Sequence, residues 1–299
     1  QGLFSPTLVP RFITSSSYIP KFMPLSSYNE EGFSNHDKLL IQKLYMLDDK
    51  VNSLVPKAAN GEFVKISNLN NPELHKEAAK LAVEGGKISR MLYENAWNSY
   101  FIEDGLLSQE EKDNLKETKI LIEAFPVPEI KAPKDGLKQE TNDVDELYRV
   151  AKEKYSIVHT IFEDIATKTG GDFIMPALKS RSRTKEKIND KYLGDASKCC
   201  DILRGSLFYR LPTNLLSGLQ EIKGNTDLRI LNCNNKFSHP DVRGYRDMNF
   251  KLDIDGFIFE IQLHSKRNLA VMEYTYPNYY LISDGMGWNK NEIETYLAA

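Results

Sequence analysis

The sequence predicts an α+β protein: an N-terminal all-helical region followed by a mixed β-sheet flanked by helices. Three observations carry this. Apolar residues between 36 and 125 recur at spacings of three and four, the period of an amphipathic helix. Residues 126–143, PVPEIKAPKDGLKQETND, hold three prolines and no apolar period, which marks a domain boundary. Beyond them, LDIDGFIFEIQLH (252–264) places two alternating runs on either side of Asp255-Gly256. That pair is the strongest short-range hairpin signal, because a two-residue type I′ turn needs positive φ at both central positions.

The elements follow in order. Residues 1–35, rich in Ser, Pro, Phe and Tyr, fit neither period and read as an extended arm that docks on the body of the protein or on a partner. A helix starts near Asn35, with Leu39, Leu40, Leu44, Leu47, Val51 and Leu54 on its apolar stripe and Ser34 or Asn35 as cap. A second helical pattern covers Pro72 to Asn95, with an interruption expected at Gly85-Gly86, and a third covers Ser108 to Phe125, opening on the capping-box spelling Ser108-Gln109-Glu110-Glu111. The division is therefore an arm at 1–35, a helical domain at 36–125, a linker at 126–143 and an α+β domain at 144–299. Within the last, a helix from about Asp145 to Lys168 precedes a short basic helix near Thr184 to Tyr192 and a strand at Ile202 to Tyr209. A helix at Asn214 to Ile222, a strand near Leu228 to Cys233, the hairpin and a final helix from about Ser265 complete it.

Bulk properties exclude several classes. With 41% hydrophobic and 27% charged residues the balance is that of a soluble globular protein, and no apolar run approaches the ~18 residues of a membrane span. A net charge of −3 argues against a surface built throughout to neutralise nucleic-acid phosphates, while leaving room for a local basic patch. Cys199, Cys200 and Cys233 are too few for a disulfide framework and lack zinc-ligand spacing, so reduced thiols and a cytoplasmic site of action are expected. The five histidines show no H-x-x-x-H pairing, which argues against a histidine-held catalytic metal. The chain starts at Gln1 and reads as a fragment or processed form, so a missing signal peptide leaves delivery into another cell open.

Four stretches carry chemistry. The two-residue turn pairs Ile254 with Phe257, Leu252 with Phe259 and Phe250 with Ile261 on one side of the hairpin. The other side sets Asp253, Lys251, Asn249 and Asp247 opposite Ile258, Glu260, Gln262 and His264, with Tyr245 on the same parity. This is either a solvated face with a weak Lys251–Glu260 ion pair or the wall of a site. KSRSRTKEKINDK (179–191) sets six basic residues against two acidic ones and reads as a solvated helix face or as a polyphosphate cradle beside a helix N-terminus. In CCDILRGSLFY (199–209), Asp201 at the mouth of an apolar strand would cap the backbone, pair with Arg204 or hold magnesium, which takes one or two carboxylates and completes its shell with water and phosphates. In HPDVRGYRDMNF (239–250), Gly244-Tyr245 is either a bulge before a strand or a stacking platform for a base, beside Arg243 and Arg246 for phosphates.

DILRG at 201–205, GYRDMNF at 244–250 and EIQLH at 260–264, in that order and spacing, resemble the synthetase domain of the RelA/SpoT family, the nucleotidyltransferase-like fold of alarmone synthetases. The spelling is nearer the divergent branch of toxins and effectors. The resemblance covers roughly residues 145–285, about half of the chain; the N-terminal half resembles no such module, and no histidine-aspartate hydrolase module precedes the synthetase-like part.

The resemblance implies transfer of a pyrophosphoryl group from ATP to the 3′-hydroxyl of GTP, GDP, ATP or ADP, or to the 3′ end of a tRNA. It implies that Asp201 and Glu260 hold Mg²⁺, with Glu260 also taking the 3′-hydroxyl proton. Lys179, Ser180 and Lys187 match the phosphate-binding residues, Tyr245 matches the tyrosine that stacks on the acceptor base, and Gln262 and His264 fall where acceptor contacts lie. Arg183, Arg204, Arg246 and Asn249 complete the expected nucleotide-binding set. The chain departs from the family pattern at Ala177, where an arginine stacks on the donor adenine, at Arg204 and Ser206, where the usual arginine comes two residues later than Arg204, and at Tyr276, which replaces a histidine of the last helix. A rival expectation is a non-catalytic nucleotide-sensing or interaction module, whose helical half recruits a protein partner; that half would equally suit a lid, a targeting module or an anchor.

Overall fold

Three helices lead into the sheet region of the computed structural model, which describes residues 33–54, 70–102, 108–126 and 136–280 together with 291 and 295. They are α1 (Asn35–Leu54), α2 (Pro72–Tyr100) and α3 (Gln109–Glu123). Asn71 caps α2, its Oδ1 accepting from Leu74 N at 3.1 Å, and Pro72 occupies the first turn, where its missing N–H costs nothing. The capping box of α3 forms as spelled: Ser108 accepts from Glu111 N and Glu111 accepts from Ser108 N. The arm expected at 1–35 lies outside the described residues apart from its last three.

One expectation fails in α2. The helix runs through Gly85-Gly86 without a break. Both glycines are buried, and a Cβ on Gly85 would fall 2.4 Å from Nδ2 of Asn278. The pair permits close helix packing rather than ending the helix.

After residue 136 come α4 (Val144–Thr169), β1 (Asp172–Ile174), α5 (Arg181–Tyr192), a short 3₁₀ turn (Ala196–Lys198), β2 (Arg204–Tyr209) and α6 (Pro212–Gly224). Then β3 (Arg229–Asn235), β4 (Met248–Ile254), β5 (Phe257–Ser265) and α7 (Lys266–Tyr280) follow. The five strands make one mixed sheet in the order β1-β2-β5-β4-β3, with β2 and β5 parallel at its centre and the other pairs antiparallel. Strand β1 is absent from the sequence reading because three residues carry no readable period. The turn has positive φ at Asp255 (47°) and Gly256 (83°), and the β4–β5 register is the one the two-residue loop dictates. The β3–β4 ladder shifts between Ile230 and Asn232, so the irregularity lies there, and Gly244-Tyr245 stands in the connection before β4.

One sheet face is the core. Leu207, Phe250, Leu252, Phe259, Ile261 and Leu263 are each fully buried, against Val158 and Phe162 of α4 and Leu215 and Leu219 of α6. Trp97 and Tyr100 of α2, with Ile122 and Phe125 around α3, belong to the same core, and all described residues fall within one compact unit, Gly32–Ala299. Residues 136–143 of the expected linker are docked as well. Gln139 is buried, donating to Cys199 O (3.2 Å) and Ile258 O (2.7 Å) and accepting from Ile258 N (2.9 Å), which satisfies its amide on both ends.

Candidate active site

The second sheet face is polar by register. Pairing places Arg204, Glu260, Lys251 and Asn232 in one row across β2, β5, β4 and β3, and Ser206, Gln262, Asn249 and Asn234 in the next. Side chains paired across strands share a face, so the rows form a continuous polar floor. The Lys251 ammonium donates to Glu260 Oε2, and Gln262 Nε2 donates to Glu260 Oε1 at 3.2 Å. Glu260 N donates to Leu203 O (3.1 Å), which ties β5 to the segment just ahead of β2.

Asp201 sits in that segment. Lys179 Nζ and Lys187 Nζ both donate to its Oδ2, at 2.8 and 2.7 Å, while Oδ1 is buried with no hydrogen-bond partner among the described residues. Burial alone would raise the Asp201 pKa, but the two ammonium groups outweigh it and hold the carboxyl far below the usual carboxylate range. Burial likewise opposes the charge on Lys187, and Asp201 reverses that, lifting the lysine above its ordinary value. Backbone contacts set both lysines: Lys179 N donates to Ile202 O (3.0 Å), Tyr148 OH donates to Lys179 O (2.6 Å), and Tyr148 OH also meets Thr184 Oγ1 of α5 at 2.7 Å. Asp201 thus pairs with these lysines, not with Arg204 as one reading had it. Arg204 Nη1 is buried without a partner among the described residues, on a residue directly opposite Glu260.

Lys179 and Lys187 thus pair with Asp201 and Lys251 with Glu260, and Arg204 stands opposite Glu260 in the register, so basic groups outnumber the two carboxylates. Such an excess suits a polyanion, because each ammonium can exchange a protein carboxylate for a phosphate oxygen. Among the described residues no group of three or more His, Cys, Asp or Glu side chains forms a metal cluster. The neighbouring thiols are unsuited to nucleophilic work: burial pushes Cys200 up to about 11.

Other expected site residues are placed differently. Ser180 is the N-cap of α5, its hydroxyl accepting from Arg183 N at 3.4 Å, so its first role is to start the helix that carries Lys187. Arg183 is exposed and pairs with Glu186 at 3.2 Å. Arg246 Nη1 donates to Phe237 O (2.6 Å), and its guanidinium lies 5.8 Å from the Trp97 ring centroid. Its Nε is buried without a hydrogen-bond partner among the described residues, and the guanidinium packs against α2. His264, expected among acceptor contacts, is buried and stacked on Phe208 (5.3 Å, 17°); burial lowers its pKa, which favours the neutral ring. Asn249 and Gln262 face each other in the second polar row as expected.

Tyr245 is half-buried. Its OH donates to Asp247 Oδ2 at 3.2 Å, its ring meets Tyr93 edge-on (5.8 Å, 86°), and Lys236 Nζ lies 4.9 Å from its ring centroid while donating to Asp247 Oδ1 (2.9 Å). A base stacked there would share the ring with Lys236, a residue that sequence reasoning missed. Nothing near Lys236 in the sequence signals it, since it reaches the site from the far side of the β3–β4 connection. Lys251 was legible, but only as a surface ion pair.

No protein-family model matches the chain, and no curated protein matches it. Solved structures of similar fold include the type VI effector Tas1 in complex with its immunity protein (20% identity, TM-score 0.35, covering 52% of this chain and 74% of that one). They also include small alarmone synthetase 2 from Bacillus subtilis (18%, TM-score 0.40, 52% and 88%) and a GTP pyrophosphokinase family protein from Streptococcus pneumoniae (16%, TM-score 0.37, 51% and 81%). Each of these matches spans about half of this chain.

Proposed function

We propose that the chain transfers a pyrophosphoryl group from ATP to the 3′-hydroxyl of a nucleotide acceptor, GTP, GDP, ATP or ADP, or of a tRNA 3′ end. The observation that carries the reading is Asp201, with two lysines on one carboxylate oxygen and a buried second oxygen, beside a polar floor that holds Glu260 and Arg204; that second oxygen and Arg204 Nη1 are both unpartnered among the described residues. Phosphoryl-type transfer asks little covalent chemistry of a protein. It asks for positioning and for neutralisation of developing charge, which an excess of basic groups over the two carboxylates supplies.

The residues fit Mg²⁺, because Asp201 Oδ1 is buried without a partner among the described residues and one or two carboxylates are a usual protein contribution to this ion. Asp201 and Glu260 would hold it, and it would supply neutralisation of the β- and γ-phosphate charge. Lys179 and Lys187 bind donor phosphates, releasing Asp201. Glu260, its Oε1 held by Gln262, accepts the proton from the 3′-hydroxyl as that oxygen bonds to the β-phosphorus. The bond between the β-phosphorus and the oxygen bridging it to the α-phosphate breaks, and AMP leaves. Lys251 must then move from Glu260 to a phosphate oxygen for the carboxylate to act as base.

That last requirement favours a second reading, a non-catalytic nucleotide sensor, because an ammonium on the expected base suits a resting or inactive site. In either reading the setting is cytoplasmic, and the sequence spelling supports a toxin or effector role with a protein partner at the helical region. One experiment separates them: Mg²⁺, γ-labelled ATP and a panel of GTP, GDP, ATP, ADP and tRNA, with Glu260→Gln beside the wild type. Label on one acceptor, reduced about a thousandfold or more by the substitution, supports transfer. Nucleotide binding without labelling supports the sensor.

A further inference from the structure

The sequence left the role of the helical region open among several, and the contacts of α2 point to one. Arg90, Tyr93, Trp97 and Tyr100 follow one another at spacings of three, four and three, so they lie along one face of the helix. Each touches the sheet region. Arg90 Nε and Nη2 donate to Val242 O (2.9 and 2.6 Å), Tyr93 meets Tyr245 edge-on, Trp97 stacks on Phe237 (4.7 Å, 13°), and Tyr100 OH donates to Tyr209 O (3.1 Å). Gly244, with φ at +84°, lets the β3–β4 connection approach so closely that a Cβ there would lie 3.0 Å from Arg90 Cα and 3.2 Å from Tyr93 Cβ. On the other side Arg243 stacks on Tyr279 of α7 at 3.9 Å.

Inside the loop, Asp241 holds the turn: its Oδ1 accepts from Arg243 N (2.9 Å) and Tyr245 N (3.1 Å), and its carbonyl accepts from Gly244 N (2.8 Å). The loop is thus closed on itself by Asp241 and fixed in space by α2 and α7. Tyr245, at its end, inherits its position from them.

We propose that Arg90 and Gly244 are positioning residues that clamp the 241–245 loop to α2, so that the helical region sets the affinity of the acceptor side of the site through Tyr245. The inference rests on the pyrophosphoryl-transfer reading for the word acceptor, and on contacts alone for the clamp. It assigns the helical region a structural part in substrate recognition rather than a lid or a tether.

Arg90 is exposed, so Arg90→Ala should fold; matching far-UV circular dichroism and melting temperature would confirm it. Two readouts follow. Hydrogen exchange at the amides of Arg243, Gly244 and Tyr245 should quicken about tenfold in Arg90→Ala, the size expected when hydrogen bonds from a charged donor that hold a loop are lost. The KM for the labelled acceptor should rise about tenfold with that for ATP unchanged, and Arg90→Lys should restore part of it. Unchanged exchange overturns the clamp. Faster exchange with unchanged acceptor KM, or equal rises for both substrates, overturns the role in recognition. If the wild type moves no label, the transfer reading has failed on its own, and exchange together with nucleotide affinity decides the inference by the same outcomes.

Discussion

Asp48 of α1 meets α7, its Oδ1 accepting from Asn278 Nδ2 at 2.8 Å and its Oδ2 buried without a partner among the described residues. Burial pushes its carboxyl up to about 7 from 3.8; the Asn278 hydrogen bond lowers it in part, and Asp49 adds a smaller upward push. Between those values the folded chain keeps a proton that the unfolded chain has released. Its contribution is therefore full below the unfolded value and lost as pH rises through about 7. From pH 5 to pH 8 this group should cost about 3 kcal/mol of stability, and Asp48→Asn should flatten that slope, as urea midpoints at the two pH values would show. Equal slopes in both proteins would sink this account. At this scale the sequence was partly legible: the Lys251–Glu260 pairing followed from turn length, but the two lysines on Asp201 come from 22 and 14 residues upstream. No local pattern could pair them, because a loop and a helix start, not a period, bring them together.

Helix α2 shows how an element can mislead in sequence and still be the better for it. Two adjacent glycines normally weaken a helix by about 1 kcal/mol each, so a break was the natural expectation. The close approach of Asn278 is what only glycine permits. Gly85→Ala should therefore destabilise by about 2 kcal/mol, although propensity alone would make it stabilising, because the new methyl displaces the amide that holds Asp48. Thermal melts of the two proteins check the sign. Other elements were legible for physical reasons: α1, α3 and α4 carry long apolar stripes and caps, and the hairpin carries its turn in two residues. Strand β1 was not, since it pairs only with β2 and its three residues alternate with nothing.

Across the whole molecule, the boundary suggested by 126–143 does not divide the core. Trp97 and Ile122 are as buried as Phe162 and Phe259, and Asn235 Nδ2 donates to both Ile122 O and Glu123 O (3.0 and 3.1 Å). Helical region and sheet should then unfold together: far-UV circular dichroism and tryptophan fluorescence should trace one urea transition with a common midpoint. Two separated midpoints would restore an independent helical domain. Composition signals a boundary where prolines cluster, but it cannot see a helix reaching across one.

The parallel pair at the centre of the sheet also fixes when the protein can be complete. Strand β2 ends at Tyr209 and β5 begins at Phe257, so the middle of the sheet cannot close until the ribosome has added the intervening helix and two further strands. Until then β2 carries one open edge and Asp201 has its lysines but no floor beside it. The hairpin, local and quick to form, is the piece whose arrival seals that edge. Synthesis thus makes the polar floor well after the lysines, and a nascent chain stalled before β5 would hold Lys179 and Lys187 on Asp201 with no floor beside them.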